Sequence, residues 1–382
     1  MPILCKRRSC APSPLDGPRG GRLWTPTRYR IPPLQTPLDT EDQFYEILAG
    51  CGKALLLSSA VDLGLDQLLK ARGPLTIAEI RAHYGLHELR GEKWVLLLAQ
   101  VGLLVEHPQA GGETRYGVGP LLYAFNDPQV MYFYREFLRY WRVAVVRDTV
   151  AVIKGGPVDN PVRYPPQDDA DVALLHDWMR SGAMITLEAI KRRFDFTGVS
   201  TILDVGGGDA TMALALAKAN PHLHVTVFNI PKVAALGRAN IERADLGVRV
   251  GVYEGNFLED ELPRGYEMVM FSRVLADWPD AVCRRLLSQA FASLQPGGHL
   301  LIAEPFQDHN PALAIAWEHS YLPYDDFGAF VYKPTGYYHR LLEELGYTDL
   351  QTFPRGESIH GLILARKPAA DPVDSEPAAA SS

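Results

Sequence analysis

Three glycines that follow a short apolar stretch are the clearest chemical signal in the chain. The stretch STILDV ends in Asp204-Val-Gly206-Gly-Gly208, and the helical pattern TMALALAKAN follows it. A strand that turns through glycines into a helix lies at the carboxyl edge of an open α/β sheet, where such sheets bind ligands. Glycine suits this turn because the ligand can approach the backbone without meeting a Cβ. The motif therefore predicts a ligand site beside Asp204.

Two other interpretations of the glycine turn remain open, a dinucleotide site and plain tight packing. The dinucleotide fingerprint is G-x-G-x-x-G. Here Gly206, Gly208 and Thr211 give G-x-G-x-x-T. A pyrophosphate site therefore fits this turn poorly.

Four further motifs follow DVGGG in order along the chain: VFNIP, EGNF, SRVLADWPD and LQPGGHLLIAE. Together the five resemble the small-molecule O-methyltransferases of the acetylserotonin and caffeate type, over residues 40 to 366. The resemblance implies a class I methyltransferase fold, a domain-swapped homodimer and S-adenosylmethionine as cofactor.

The resemblance also implies which residues bind the cofactor. Gly206 and Gly208 match the glycines that hold the methionine part, and Asp204 matches the acid that helps to fix it. Ser272 and Arg273 match the next cofactor contacts of the family.

Asparagine stands at two positions where the family usually has an acid. Asn229, at the end of the second strand, matches the residue that binds the ribose hydroxyls. Asn256, followed by Phe257, matches the Asp that binds the adenine amine. Asparagine still accepts hydrogen bonds there, although without the assistance of a charge. The alternative for Asn229 is a turn residue before Pro231.

The residue that acts as base in the family is absent. Methylation of a hydroxyl needs a group that takes the proton, and in the family this is the His of an H-D-W motif. Here the motif is Ala276-Asp277-Trp278, in which Asp277 and Trp278 are interpreted as loop anchors. Glu304 matches the Glu that orients the missing His. A buried carboxylate without a partner is costly, so a cation or donor is expected near Glu304.

A second candidate base is His319, in AWEHSYLPYDDF. This helix, the strand end VFNIP and the segment RYPP…DWMRSGAMITLEAI are most similar to the bacteriochlorophyllide C-20 methyltransferases. Those enzymes methylate a ring carbon and carry a His that matches His319. The resemblance thus implies that His319 is the acid–base residue and that Glu304 is its electrostatic helper. Alternatively, His319 is a helix histidine that meets a polar group of the core.

Apolar side chains near these motifs predict a substrate pocket for a large, flat molecule. They are Trp178, Met179, Met184, Tyr321, Tyr324 and Phe327. The alternative is that the aromatic residues only form core. The expected activity is methylation of a hydrophobic aromatic or isoprenoid molecule, including a ring carbon of a (bacterio)chlorophyll-type tetrapyrrole. The alternatives are O-methylation of a phenol or hydroxylated carotenoid, and a cofactor-binding protein without methyl transfer.

Other chemically active residues give no cluster. His107, His309 and His360 are interpreted as solitary, and Lys333 as a surface charge. The four cysteines have no metal-ligand spacing, so no metal site is predicted.

The elements that carry these residues change character near residue 199. Residues 39–120 read as helix, short helix, helix and hairpin, which predicts a winged-helix-like dimerisation domain. Residues 121–198 are a helical linker that contributes to the pocket. Residues 199–366 alternate strands and helices, which predicts a Rossmann-like α/β domain with a mostly parallel sheet.

Composition limits the possible partners. The 382-residue chain carries a net charge of −7, and its apolar third helix WVLLLAQVGLL favours protein packing over DNA binding. No stretch approaches about 18 uninterrupted apolar residues, so no membrane span is predicted. A reduced, cytoplasmic protein is expected. Residues 367–382 are predicted to be disordered, and the basic segment 1–38 to be a disordered extension, a product of a start codon placed too early, or a transit peptide.

Overall fold

The computed structural model describes residues 37–124, 128–146, 148–156, 169–322, 331–356 and 359–369. The contacts divide the chain into a first unit that ends at Ala54 and a second unit, Leu55–Ser382. The described part of the first unit is the beginning of helix α1 (Pro37–Leu63). Its exposed apolar side chains are Phe44, Tyr45, Ile47 and Leu48.

One segment of α1, Asp42–Leu63, is long and apolar enough by length and composition to cross a membrane; it is the only such segment among the described residues. Four charged residues interrupt it: Asp42, Glu46, Lys53 and Asp62. Core and interface helices of soluble proteins pass the same test of length and composition. The segment therefore does not make this a membrane protein.

The second unit begins with the end of α1 and a small helical segment. Its elements are α2 (Leu65–Arg72), α3 (Ile77–Tyr84), α4 (Glu88–Gln100), β1 (Leu104–His107) and β2 (Arg115–Val118). Helix α3 starts at the capping box expected from the sequence, with the Thr76 side chain accepting from Glu79 N and the Glu79 carboxylate accepting from Thr76 N. Strands β1 and β2 pair antiparallel as a hairpin. The expected order of helix, short helix, helix and hairpin is thus present.

Four helices connect this segment to the sheet: α5 (Pro120–Ala124), α6 (Pro128–Val145), α7 (Thr149–Ile153) and α8 (Asp169–Lys191). A buried ion pair ties α6 to α2. Arg135 donates to both carboxylate oxygens of Asp66 at 3.1 Å and to Val61 O at 2.7 Å. Because Asp66 is fully buried, removal of the Arg135 side chain would leave its carboxylate without this partner.

The remaining elements are the seven strands of one sheet and the helices that connect them. They are β3 (Thr201–Val205), α9 (Thr211–Ala219), β4 (His224–Asn229), α10 (Pro231–Arg243), β5 (Val250–Glu254), β6 (Tyr266–Ser272), α11 (Asp280–Ser293), β7 (Leu294–Glu304), α12 (Pro311–Tyr321), α13 (Thr335–Glu344), β8 (Thr348–Phe353) and β9 (Gly361–Arg366). The strand order is β5-β4-β3-β6-β7-β9-β8. All neighbours pair in parallel except that β9 is antiparallel to β7 and β8. The mostly parallel α/β sheet predicted from the sequence is therefore present.

Both faces of the sheet are buried, as the near-continuous apolar strands require. Along β3, Ile202 belongs to the core on one face, and Leu203 and Val205 to the core on the other. This alternation follows from the pleat, which points successive side chains to opposite faces. Polar residues at the strand ends are consequently directed to the carboxyl edge.

Candidate active site

The carboxyl edge of the sheet opens onto a cavity of about 510 Å³. Strand β3 pairs with β4 on one side and β6 on the other, so the chain order reverses at β3. Such a switch point leaves a crevice between the loops that follow the two neighbouring strands. The cavity is lined by the loops after β3, β4, β5, β6 and β7, by helices α6, α8 and α12, and by the segment before β9.

The turn after β3 needs glycine for two different reasons. Gly206 and Gly208 have φ of +74° and +60°, in the left-handed region that residues with a Cβ rarely adopt. A Cβ on Gly206 would lie 2.8 Å from Val274 Cγ2. A Cβ on Gly208 would meet no atom of the described residues within 4 Å. Gly206 lines the cavity, whereas Gly208 and Asp204 are not lining residues; the space beside Gly208 is open.

Asp204 is a buried carboxylate in need of a partner. Its exposed fraction is 1%, and neither Oδ1 nor Oδ2 has a hydrogen-bond partner among the described residues. Burial raises the pKa of Asp204 to about 7. A carboxylate in this position favours a cationic or hydrogen-donating ligand.

Both asparagines predicted as cofactor contacts line the cavity, and their own turns orient them. Asn229 Oδ1 accepts from Ile230 N at 2.9 Å, and Asn256 Oδ1 accepts from Leu258 N at 3.1 Å. Phe257 also lines the cavity and meets the Trp278 ring edge to face, with 5.6 Å between the ring centroids.

Arg273 projects into the cavity from a strained backbone. It has φ +58°, and its N–H donates to Ala303 O at 3.1 Å. The guanidinium donates to Met179 O at 3.2 Å and lies over the Phe133 ring. A Cβ at Gly182 would overlap the guanidinium, so the glycine on α8 makes room for the cation. Ser272, in contrast, is half-buried at the end of β6 and is not a lining residue.

Glu304 holds the loop after β6 through one oxygen. Its Oε1 accepts from Val274 N at 2.8 Å, Leu275 N at 2.9 Å and Ala276 N at 3.4 Å. Its Oε2 has no hydrogen-bond partner among the described residues, and only 1% of the residue is exposed. Burial first, and then the charge of Asp277, raise the pKa of Glu304 to about 8. The donors expected beside this carboxylate are therefore main-chain N–H groups.

Lys333 holds the same loop from the other side, and its interpretation as a surface charge was wrong. The residue is 8% exposed, and its Nζ donates to Ala276 O at 2.8 Å and to Leu275 O at 3.4 Å. Burial lowers the pKa of the Lys333 ammonium. Glu304 thus accepts hydrogen bonds from the N–H groups of this loop, and Lys333 donates hydrogen bonds to its carbonyl groups.

Two titratable groups of the cavity were underestimated from the sequence. Asp277 lines the cavity, and burial raises its pKa to about 6 against the opposing effect of Arg273 and Lys333. His360 also lines the cavity, is 2% exposed, and has its Nδ1 3.1 Å from Thr186 Oγ1. Burial lowers the pKa of His360 well below its usual value, so the imidazole is neutral at pH 7. The only signal for His360 in the sequence is its position directly before the strand GLILAR, because residues next to strand ends can lie at the edge of the sheet that carries the cavity.

The structure does not bring His319 into the cavity. Trp317 and Tyr321 line it from α12, whereas the half-buried His319 is not a lining residue. A helix turns by about 200° over two residues, so His319 lies on the opposite side of α12 from Trp317, while Tyr321 is one turn further on the same face. This geometry does not support His319 as the acid–base residue.

Aromatic rings form one wall of the cavity. Trp178 and Trp317 are stacked, with centroids 5.9 Å apart and an interplanar angle of 17°. Met179 also lines the cavity as expected, but Met184 packs against the core beneath α9. Tyr324 and Phe327 lie outside the described residues. The wall is completed by Phe133, Tyr140 and Tyr332, which were not predicted from the sequence.

The described residues contain no group of three or more His, Cys, Asp or Glu side chains that could hold a metal ion. The groups that line the cavity are the carboxyls of Asp277 and Glu304, the Arg273 guanidinium, the neutral His360 imidazole and a flat aromatic wall.

Comparison with known proteins agrees with this arrangement. The model of the O-methyltransferase domain family matches residues 161–326. The N,N-dimethyltransferase OxyT of Streptomyces rimosus is 30% identical over 67% of this chain and 76% of that protein. The L-tyrosine C(3)-methyltransferase of Streptomyces lavendulae is 25% identical over 96% of this chain and 100% of that protein.

Among solved structures, the crystal structure of the S-adenosylmethionine-dependent methyltransferase SibL in its apo form is similar with a TM-score of 0.73. The two proteins are 25% identical, and the similarity covers 85% of this chain and 99% of the SibL chain.

Proposed function

Because the chain belongs to the class I S-adenosylmethionine-dependent O-methyltransferase family, we propose that it methylates a planar aromatic small molecule bound in this cavity. The reaction type and the cofactor follow from the family. The acceptor is the proposal, and the single observation that carries it is the stacked pair Trp178 and Trp317. Parallel rings present a flat apolar surface against which another flat ring packs over its whole area.

Neighbouring rings pack on this pair; Tyr321 lines the cavity, whereas Phe137 supports Trp317 without lining it. Phe137 stacks on Trp317 with centroids 4.1 Å apart, and Tyr321 stacks on Trp317 with centroids 5.7 Å apart. Few polar groups interrupt the wall, as in pockets that bind apolar ligands. The relative named for C(3)-methylation of L-tyrosine supports an aromatic acceptor, and the relative named as an N,N-dimethyltransferase shows that the methylated atom differs among these proteins.

The residues present fit the cofactor. Asp204 is a buried carboxylate without a partner, and S-adenosylmethionine carries an ammonium group and a sulfonium. In this proposal Gly206 and Gly208 hold the methionine part, and the Arg273 guanidinium holds its carboxylate. Gly206 and Arg273 line the cavity, and the space beside Gly208 is open. Asn229 binds the ribose hydroxyls, and Asn256 with Phe257 binds the adenine. Ser272 supports this edge from the end of β6.

When bound, S-adenosylmethionine supplies an electrophilic methyl group. The protein excludes water with the aromatic wall and orients the acceptor against Trp317. Alignment of the two reactants supplies a large part of the rate in such a transfer.

A panel of acceptors tests the proposal. S-adenosylhomocysteine production is measured with phenols, aromatic amines, a chlorin and a hydroxylated carotenoid, the last two being the acceptors suggested by the sequence resemblance. Turnover with at least one planar aromatic acceptor is expected. Turnover only with the extended carotenoid would contradict a planar aromatic substrate.

The resemblance also leads us to propose a homodimer, for which residues 39–120 are the predicted winged-helix-like dimerisation domain. Exposed apolar side chains on α1 (Phe44, Ile47) and on α4 (Leu96, Leu97) support it. A second copy would cover such residues, because monomers rarely expose large apolar patches. Light scattering that gives a monomer at micromolar concentration would contradict this proposal.

A cytoplasmic location, also proposed, is compatible with the free thiols of Cys51 and Cys283.

The affinity for S-adenosylmethionine is expected to fall as the pH drops below about 7. Burial raises the pKa of Asp204 to about 7, so below this pH the free protein carries a neutral carboxyl there. A cationic ligand favours the ionised form, and binding must then expel a proton. The dissociation constant should rise by up to tenfold per pH unit below pH 7 and level off above it. Calorimetry between pH 5.5 and 8.5 measures this dependence.

The Asp204→Asn variant is the control for this pH dependence. It keeps the shape of the side chain but has no proton to lose, so its affinity should be weaker at pH 8. The ionisation of the cofactor itself is common to both proteins and cancels in the ratio of their affinities. An identical pH dependence in the two proteins would show that Asp204 does not contact the cation.

A further inference from the structure

We propose that Glu304 itself accepts the proton of the substrate, through Oε2, where the family has a histidine on the neighbouring loop. The inference rests on the proposed function, since it concerns an aromatic acceptor that carries a hydroxyl group. It assigns a catalytic role to a residue that the resemblance treats only as a helper of the missing base.

The two oxygens of Glu304 have different surroundings. Oε1 is engaged by the N–H groups of residues 274–276, which fixes the carboxyl against the loop. Oε2 is buried and has no partner among the described residues. Glu304 and Ala276 both line the cavity, and the methyl side chain of Ala276 leaves the room that a histidine would fill. Oε2 is thus the oxygen that remains to meet a substrate hydroxyl.

The other basic groups are less suited to this role. His319 is on the far face of α12. The Thr186 hydroxyl directs its proton to Gly182 O, so His360 donates through Nδ1, and burial lowers the pKa of the imidazole well below its usual value, which makes His360 a weaker base than Glu304. Asp277 is the other carboxyl of the cavity, but Arg273 and Lys333 both favour its ionised form and make it the weaker base.

The surroundings of Glu304 bring its pKa close to neutral pH. Its pKa of about 8 results from burial, which raises it together with Asp277, and from main-chain N–H groups and Lys333, which lower it. A base whose pKa lies near the working pH combines a large ionised fraction with a strong drive to take the proton. Titratable groups on the surrounding elements also interact with Glu304; they are Asp277, Cys283, Tyr332, Lys333 and Tyr338.

The step balances without another reagent. One proton passes from the substrate hydroxyl to Glu304 Oε2. The electron pair left on the substrate, at oxygen or at the ring carbon beside it, forms the new bond to the methyl carbon. The carbon–sulfur bond breaks, and its electron pair stays on sulfur. After methylation at oxygen, Glu304 loses its proton to solvent. After methylation at carbon, the ring proton is lost to solvent and Glu304 returns its proton to the oxygen, which restores the hydroxyl.

Two acceptors separate proton transfer from binding. The first, 2-naphthol, keeps its hydroxyl proton at pH 7, and the second, a nitro-substituted naphthol, is already ionised there. The Glu304→Gln variant should lose about a hundredfold or more in kcat/KM with 2-naphthol, because an amide cannot take a proton. With the ionised naphthol the loss should be within threefold, and S-adenosylmethionine affinity should be unchanged by calorimetry.

The Glu318→Gln variant is the matched control. Glu318 is a half-buried carboxylate on α12 that also accepts a main-chain N–H, from Tyr332 at 2.7 Å, but it does not line the cavity. This variant should not discriminate between the naphthols. Equal losses with both naphthols in Glu304→Gln, or none with either, would overturn the role of Glu304 while leaving the proposed function intact.

The wild-type protein offers a test that needs no variant. With 2-naphthol, kcat/KM should rise with pH and level off above about 8, where Glu304 is ionised. With the ionised naphthol this inflection should be absent, and its presence there would contradict the assignment. If the wild type methylates no aromatic acceptor at all, the proposed function fails and this inference fails with it.

Discussion

Replacing Gly208 with valine is expected to abolish binding of S-adenosylmethionine while the protein stays folded. A Cβ at this position meets no described atom within 4 Å, so the fold itself has room for a side chain. The positive φ of +60° makes the substitution cost about 2 kcal/mol, which a stable domain tolerates. The valine would instead occupy the space in which the methionine part of the cofactor is proposed to lie. Calorimetry should give a dissociation constant above about 1 mM, corresponding to less than about 4 kcal/mol of binding.

Gly85→Val is a matched control for this prediction. Gly85 follows α3 and has φ +63°, and a Cβ added there would also meet no described atom within 4 Å. The two variants should therefore lose similar stability in thermal unfolding, but only Gly208→Val should lose the cofactor. Unchanged cofactor affinity in Gly208→Val would mean that the ligand lies elsewhere.

The sheet could be predicted from the sequence because local signals agreed with its tertiary structure. Strand β3 is a run of apolar residues buried on both faces, and it ends at glycines whose backbone only glycine adopts easily. Asp204 and Gly206 then reach the carboxyl edge by topology alone, because parallel strands place their ends together. Even the short helix α3 was marked by its capping box at Thr76.

The catalytic side of the cavity was harder to predict, since it depends on rotation and burial rather than on order along the chain. His319 and Trp317 are two residues apart, yet helical geometry directs them to opposite faces of α12. His360 lies far along the chain from the glycine turn and enters the cavity because β9 inserts beside β7. No spacing rule connects these positions.

Burial of charge was the second property that the sequence did not predict. The expectation that Glu304 needs a donor was correct, but the donors are N–H groups of a loop, which have no sequence signature. Lysine is usually exposed, and only the close approach of the segment before α13 to that loop buries Lys333.

Replacing Lys333 with methionine is expected to reduce both stability and turnover. The variant leaves the buried carbonyl of Ala276 without its donor, while Leu275 O keeps Cys283 Sγ at 3.2 Å, so the free energy of unfolding should fall by about 2 kcal/mol. It also removes the cation that lowers the pKa of Glu304, so the inflection in kcat/KM with 2-naphthol should move above pH 8. The loop that carries Asp277 would then keep its hydrogen bonds to Glu304 but lose those to Lys333, so kcat should fall by about a hundredfold.

A second lysine separates positioning from folding. Lys367 also donates to two main-chain carbonyls, Phe291 O at 2.8 Å and Leu294 O at 2.7 Å, but neither belongs to the loop after β6 that Lys333 contacts. Lys367→Met should therefore lose comparable stability in denaturant unfolding, with kcat and the pH profile unchanged. If Lys333→Met matches Lys367→Met in turnover and in the position of its inflection, Lys333 only stabilises the fold. A shift of the inflection in Lys333→Met alone would establish that its ammonium sets the basicity of Glu304, because a loss of folded protein lowers the rate equally at every pH.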